Sequence, residues 1–187
     1  MVAKGLDFPG VRLVGIVHAD TAVNMPDFRA SERTFQLVSQ VAGRAGRSGE
    51  PGLVVVQTLE PRSPAIRFAA AHDFAGFAEH ELRQRNEAGL PPFARMARIV
   101  VRDEDYAAAL DRATDLELRL RSFPGAPHVR GPMPCPLSRV AGKHRIALEL
   151  TAPGAAAIQA ALTALRNQGV LKSDESTAVD VDPVALL

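Results

Sequence analysis

Two nearly continuous apolar runs constrain the fold of this chain more than any other feature. They are VRLVGIVHA, which starts at residue 11, and GLVVVQT at 52–58. Uninterrupted apolar residues are typical of strands buried on both faces of a parallel sheet, so we predict strands at 11–18 and 52–58. Between them the spacing of apolar residues predicts a helix from about Phe28 to Ala45, with Asp27 as its cap. Strand, helix, strand is the order of an α/β domain.

The position of the first predicted strand indicates a larger domain. A strand that is buried in a parallel sheet needs neighbours, and only MVAKGLDFPG precedes it in this sequence. We therefore expect the front of the chain to be the end of a larger domain.

The pattern changes after PRSP at 61–64, where two helices are predicted at 64–71 and 73–88. Gly89 and the Pro91-Pro92 pair end the second helix, because proline cannot continue it. Beyond this break the apolar spacing predicts a strand at 94–101, a helix at 104–122 and an extended segment at 127–134. A strand at 144–151, a helix at 154–168 and a last strand at 176–184 follow. The order βαββαβ is the split βαβ, or ferredoxin-like, arrangement. The predicted divisions are 1–60, a helical connector at 61–93, and a C-terminal domain at 94–187.

Composition excludes several classes of function. The 187 residues carry 22 Lys+Arg against 21 Asp+Glu, so any nucleic-acid site must be a local patch. No apolar run is long enough to cross a bilayer, and the first residues lack the pattern of a signal peptide. The single cysteine, Cys135, excludes an internal disulfide and a cysteine-based zinc site in this chain. We expect a cytoplasmic protein with no membrane partner.

The stretch QVAGRAGR at 40–47 has two interpretations. Arginines near a helix C-terminus complement the helix dipole and bind its last carbonyls. Arginine is also a planar, permanently charged group that suits phosphate oxygens, and neighbouring glycines let a backbone approach a nucleotide closely. The residues alone leave both interpretations open.

Five stretches in order indicate a family. The letters Q-x-x-G-R-x-G-R at 40–47 resemble motif VI of superfamily 2 helicases, and AKGLDFP at 3–9 is similar to their motif V. DFRASERTFQL, GLPPFARMA and DVDPVALL resemble three stretches of the primosomal replication-restart helicases, the PriA family, at 27–37, 89–97 and 180–187. Together they cover most of the chain, which is identified as similar to the C-terminal quarter of that family.

The resemblance implies a function for the whole family protein: an ATP-dependent 3′→5′ DNA helicase that acts in replication restart and primosome assembly. It implies that 1–60 completes a RecA-like helicase lobe and that 94–187 is ferredoxin-like. Arg44 and Arg47 would contact nucleotide phosphates as catalytic residues, with Arg47 the stronger candidate for an arginine finger. The residues implied for nucleotide binding are Gln40, Gly43, Gly46, Gly5 and Asp7, and Lys4 is implied for DNA binding.

The chain lacks parts that the family has. It contains no G-x-x-x-x-G-K-[ST] loop, no acidic Walker B motif and no cysteine-rich zinc segment. ATP and Mg²⁺ are therefore expected as cofactors of the full-length family protein, with neither bound tightly by this chain. We expect the chain alone to be inactive as an ATPase.

A basic cluster lies in LSRVAGKHR at 137–145. Its residue types indicate either a solvated β-hairpin or a loop on a sheet edge that follows phosphates. The family's C-terminal domain is implicated in binding branched DNA, which implies forked or single-stranded DNA as the partner. The predicted DNA-binding residues here are Arg130, Arg139, Lys143 and Arg145.

The resemblance also implies protein partners, whereas the sequence argues against a metal site. The family also binds the acidic tail of single-stranded DNA-binding protein and other primosome proteins, and Gln159 matches a contact near the second helix of the C-terminal domain. Asp180 and Asp182 share a strand face, but they fit a strand's exit into a turn better than a metal site. We predict no metal. Two rival functions stay open: a stand-alone DNA- or protein-binding module, and a chain that restores ATPase activity by docking onto a separate first lobe.

Overall fold

A computed structural model describes residues 11–43, 45, 52–172 and 174–186. They form two compact units, one up to Gln84 and one from Arg85 onward. The elements of the first unit, of which the last crosses this division, are β1 (Leu13–Ile16), α1 (Ala19–Val23), α2 (Ala30–Ala42), β2 (Leu53–Val56), α3 (Pro64–Ala70) and α4 (Phe74–Glu87). Those of the second are β3 (Arg95–Asp103), α5 (Tyr106–Arg121), β4 (His128–Val140), β5 (Lys143–Ala152), α6 (Ala155–Asn167) and β6 (Thr177–Val181).

The first unit contains the predicted parallel pair. Strands β1 and β2 run parallel from the pair Leu13–Leu53 to the pair Ile16–Val56. One face of the pair packs on a core that α2, α3 and α4 supply, with residues Phe35, Val38, Ala65, Ala69 and Phe77. The rings of Phe35 and Phe77 stack with their centroids 4.2 Å apart. The predicted strand, helix, strand order is therefore confirmed for this unit.

Two sequence expectations for the first unit are wrong. The strands are not buried on both faces in the part of the chain that the structure describes, because Leu13 and Leu53 are 63% and 61% exposed. Only two strands are paired here, so helices cover one face alone. Asp27 does not cap α2, which begins at Ala30 after Arg29. The Asp27 carboxylate instead accepts the backbone N–H of Arg29 at 2.9 Å and pairs with Arg33 at 2.9 Å.

The second unit is a four-stranded antiparallel sheet with two helices. The strand order is β4-β5-β3-β6, so β4 is an edge strand and β3 and β5 lie in the middle. Helices α5 and α6 cover one face, and the core between them and the sheet includes Ile99, Val101, Leu116, Leu148 and Leu162. The predicted βαββαβ order of elements is confirmed.

Element ends in the second unit follow local chemistry. The Asp105 carboxylate caps α5 by accepting the backbone N–H of Ala107 at 2.8 Å, as expected of acidic residues at a helix start. Strand β4 runs well beyond the predicted 127–134, and its pairing with β5 shifts register twice in the proline-rich middle. Gly131 has a φ of 108°, and a Cβ there would lie 2.6 Å from the Ala147 carbonyl oxygen, so only glycine fits.

Two negative observations concern the described residues alone. None of their helices is long and apolar enough to cross a membrane. Within the same residues, no three His, Cys, Asp or Glu side chains are grouped to hold a metal ion. The predicted domain limits at 60 and 93 stay predictions.

Candidate nucleic-acid interface

Most residues predicted to contact nucleotide lie outside the described residues. These are Arg44, Gly46, Arg47, Gly5 and Asp7, and Lys4, which is predicted to bind DNA, lies outside the described residues as well. Of the remaining two, Gln40 is exposed on the last turn of α2, and Gly43 caps that helix, its N–H donating to the Ser39 carbonyl at 3.0 Å. The proposed ATP contacts therefore stay predictions.

The basic cluster at 137–145 lies on a tight hairpin. Strands β4 and β5 pair up to Val140 and Lys143, so only Ala141 and Gly142 form the turn. Their φ angles are 50° and 81°. Positive φ at both central residues is the signature of the type I′ turn, which matches the twist of antiparallel strands. The hairpin is thus confirmed, and its register places Lys143 across from Val140 and Arg139 across from His144.

Strand alternation decides which face each cation takes. Ile146 and Leu148 of β5 belong to the core under the helices. Because successive side chains of a strand point to opposite faces, Lys143 and Arg145 lie on the face away from α5 and α6. Both side chains are partly exposed there.

The register also places Arg102 of β3 directly opposite Arg145. The Arg102 backbone N–H donates to the Ser176 carbonyl at 2.7 Å, on the side away from β5. Arg102 and Arg145 therefore form a pair without mutual backbone hydrogen bonds, the kind in which side chains come closest. Like charges directly opposite each other on neighbouring strands repel, by at most roughly 0.8 kcal/mol in water at a charge separation of about 5 Å. The fold holds this arginine pair together although the two charges oppose it.

The cations line a groove of about 480 Å³. Its walls are Arg102, Val140, Ala141, Lys143, Arg145 and Glu175. Arg139 and Arg145 donate to backbone carbonyls of Gly142 and Leu137, each at 3.3 Å, and these neutral acceptors leave both charges uncompensated. Within the described residues, the groove contains three cations and one carboxylate.

Arg130 belongs to a different place. Its guanidinium donates from Nε to the Glu149 carboxylate at 2.9 Å, and a second hydrogen bond from Nη2 reaches the same oxygen. Glu149 pairs with Arg130 across β5 and β4, six residues along β5 from Lys143, or about 20 Å at the rise of a strand. The structure therefore groups Lys143 and Arg145 in the groove. Arg139 pairs with His144 and so lies on the opposite face of the hairpin. Arg130 is separate, and its charge is neutralised by a buried carboxylate.

The other predicted residues do not join this groove. Gln159 is exposed on α6, and it lies outside the cavity of about 250 Å³ between α5 and α6. Asp182 pairs with Arg95, whose hydrogen bond holds the pKa of that carboxyl below its usual range. Asp182 lies directly after the last residue of β6, where the strand-exit interpretation put it, and forms an ion pair with Arg95 there.

Sequence reasoning missed Arg102. It lies far from the hairpin in the chain, and no local pattern connects it to 137–145. Pairing the predicted strand at 94–101 with the one at 144–151 would have placed it opposite Arg145, since only the register of these two strands brings them together.

Comparison with known proteins identifies the family. A sequence profile described as the primosomal protein N C-terminal domain matches residues 86–184, which contain all six elements of the second unit. The chain belongs to the PriA family.

Several curated PriA proteins are similar to this chain. The replication restart protein PriA of Treponema pallidum is 40% identical over 188 residues, which cover 100% of this chain and 29% of that protein. The one from Bacillus subtilis is 42% identical over 146 residues, 78% of this chain and 18% of that protein. The one from Chlamydia trachomatis is 44% identical over 100 residues, 54% of this chain and 13% of that protein. The chain spans less than a third of the length of these PriA relatives.

Proposed function

We propose that this chain is the C-terminal part of an ATP-dependent 3′→5′ DNA helicase that acts in replication restart and primosome assembly. Its own contribution is to bind the phosphate backbone of forked or single-stranded DNA. Membership in the PriA family and relatives named replication restart proteins support the first statement. The groove lined by Arg102, Lys143 and Arg145 is the observation that carries the second.

The fold supports the finer assignments that we propose for each unit. Numbered within the second unit, its four strands stand in the order 4-1-3-2 with two helices on one face, which supports a ferredoxin-like domain. In the first unit, a parallel strand pair with helices on one face supports the end of a RecA-like lobe. The exposed apolar face of that pair suits coverage by a further layer of a larger α/β domain.

DNA binding through this groove is electrostatic in character. Arginine and lysine bind phosphate oxygens without reading sequence, and binding weakens as salt rises because counterions are released from the DNA. None of the described residues that line this groove is aromatic, so base stacking contributes little to binding there. We expect salt-sensitive binding of low sequence preference.

The ATP-dependent steps need residues that this sequence lacks. An arginine finger acts on phosphates that a G-K-[ST] loop holds, and this sequence contains no such motif. The proposal therefore assigns DNA contact, and no ATP hydrolysis, to the chain alone.

Fluorescence anisotropy of a labelled DNA fork tests the proposal. The full chain is compared with the Arg139→Ala/Lys143→Ala/Arg145→Ala variant, and with Arg119→Ala/Arg121→Ala/Arg166→Ala as a control that removes three cations from the helix layer. We expect wild-type binding that weakens with salt, is lost in the hairpin variant and is largely kept in the control. Equal losses in the two variants would reduce the effect to net charge, and no binding at low salt would refute the proposal.

A second candidate function is a stand-alone binding module. The second unit has its own core of more than fifteen buried residues, which favours independent folding. This function predicts that residues 94–187 alone bind the fork as tightly as the whole chain does. Weaker binding by that fragment would favour the helicase assignment.

A further inference from the structure

The groove contains a carboxylate where a phosphate would bind. The Glu175 Oε2 atom lies 3.4 Å from the Lys143 ammonium nitrogen, and both residues line the groove with Arg102 and Arg145. Among the described residues, neither arginine has a carboxylate partner. Glu175 is therefore the acid that offsets the positive charge of this groove.

The contact is one that an incoming anion displaces easily. The Glu175 side chain is 94% exposed and that of Lys143 is 35% exposed, so water screens the pair. An ion pair that is solvent-exposed and as long as this one stabilises a fold very little. Moving the carboxylate away from Lys143 therefore costs little, and the side chain has solvent to move into.

The backbone that carries Glu175 is nevertheless held firmly. Arg112 donates to the Ser176 hydroxyl at 2.7 Å and to the Asp103 carboxylate at 3.2 Å, which ties the segment to α5 and β3. The Asp174 carboxylate accepts the backbone N–H of Ser176 at 2.8 Å. These bonds keep Glu175 beside the groove even when its side chain swings away.

We propose that Glu175 is an internal competitor for the phosphate that this groove binds. In the free protein the Glu175 carboxylate is paired with the Lys143 ammonium group. A phosphate of the nucleic-acid backbone displaces this carboxylate and then binds Lys143, Arg102 and Arg145 together. The proposal rests on the proposed function of the groove and adds to it a residue that limits affinity. Because the displaced carboxylate stays near the phosphate, it weakens binding and speeds release.

The competition has a signature in the salt dependence. In the wild type, Lys143 exchanges one anion for another, so it contributes little to the number of counterions released. In Glu175→Gln, Lys143 is free and counts as an additional phosphate-neutralising cation. The slope of log K against log salt then becomes steeper, by at most about 0.7 for single strands or about 0.9 for duplex.

Anisotropy with a labelled fork is measured on the full chain from about 50 to 200 mM salt. We expect Glu175→Gln to bind roughly threefold to fivefold more tightly at the lowest salt, with the steeper slope. Glu87→Gln, which removes the same charge from an exposed position on α4, should stay within about twofold of wild type with an unchanged slope. In a Lys143→Gln background the gain from Glu175→Gln should shrink. An equal gain in that background would overturn the competition with Lys143.

A second arm uses no DNA. Inorganic pyrophosphate is titrated into the isotope-labelled chain while the NMR signals of Arg102, Lys143 and Arg145 are followed. We expect these signals to shift, at lower pyrophosphate concentrations in Glu175→Gln than in wild type. Shifts of this kind without fork binding would keep the competitor and refute the DNA function. Fork binding with equal affinity and slope in Glu175→Gln and Glu87→Gln would keep the DNA function and refute the competitor. The absence of both the NMR shifts and fork binding would refute both proposals.

Discussion

Replacing Arg102 by glutamine removes one charge of the cross-strand arginine pair and leaves an extended polar side chain in its place. The register holds Arg102 opposite Arg145, and their Cβ atoms in such a pair lie about 5 Å apart. The guanidinium charges stand at the ends of long, partly exposed side chains, so the roughly 0.8 kcal/mol that two charges about 5 Å apart repel by in water is an upper bound, and salt near 0.15 M screens about half of it. We therefore expect Arg102→Gln to raise the free energy of unfolding of the second unit by about 0.2 to 0.8 kcal/mol.

The chain contains a selective reporter for this measurement. Tyr106 is its only tyrosine, there is no tryptophan, and the ring lies 5.6 Å from that of His144 within the second unit. Tyrosine fluorescence during urea unfolding therefore follows the second unit by itself, and linear extrapolation gives its free energy of unfolding. The same variant should bind the DNA fork more weakly, so stability and binding are expected to change in opposite directions.

The control for this experiment is Lys172→Gln, which removes one cation from an exposed position. Lys172 lies outside the strands that the structure describes, so no cation stands opposite it across a strand pair. It should not stabilise the unit. The expected gain in Arg102→Gln should also diminish as salt rises, because ions screen the repulsion that the variant relieves. An unchanged or lower free energy of unfolding at low salt, or a gain that salt does not alter, would refute the repulsion argument.

Two further predictions concern the stability of the second unit. Leu148 is fully buried in the core, whereas Leu118 is 62% exposed. Leu148→Ala should therefore lower the free energy of unfolding by about 2 to 5 kcal/mol, and Leu118→Ala by less than about 0.5 kcal/mol. Urea unfolding followed by tyrosine fluorescence measures both. The hydrogen bond from Arg95 holds the pKa of Asp182 below its ordinary value of 3.8 in the folded state. This carboxylate therefore stabilises the fold above pH 3.8, and the contribution is lost as the pH falls from there through the folded pKa. The free energy of unfolding of Asp182→Asn should therefore fall less than that of the wild type as the pH is lowered through this range. Equal dependence of the two proteins on pH would contradict the argument.

The proposed site could be predicted in part from the sequence. Arg139, Lys143 and Arg145 are close in the chain, and Gly142 between them marks a turn, so a basic hairpin followed from local pattern. Arg130 belongs to the same run of cations, yet Glu149 neutralises it. Pairing between β4 and β5 decides this, and the register shifts in β4 could not be read from its proline-rich sequence.

Local chemistry determined which segments of this chain form helices and strands. Apolar spacing, the capping Asp105 and the glycine and proline at the ends of elements act within a few residues, so the order βαββαβ and the parallel strand pair follow from the amino-acid sequence by itself. Tertiary structure alone decided which charges meet. Arg102, Arg145 and Glu175 are brought to one groove by strand register and by the Arg112 contacts, which depend on residues far apart in the chain. Side-chain periodicity specifies a face, whereas the partner across a sheet is set by the pairing of whole strands.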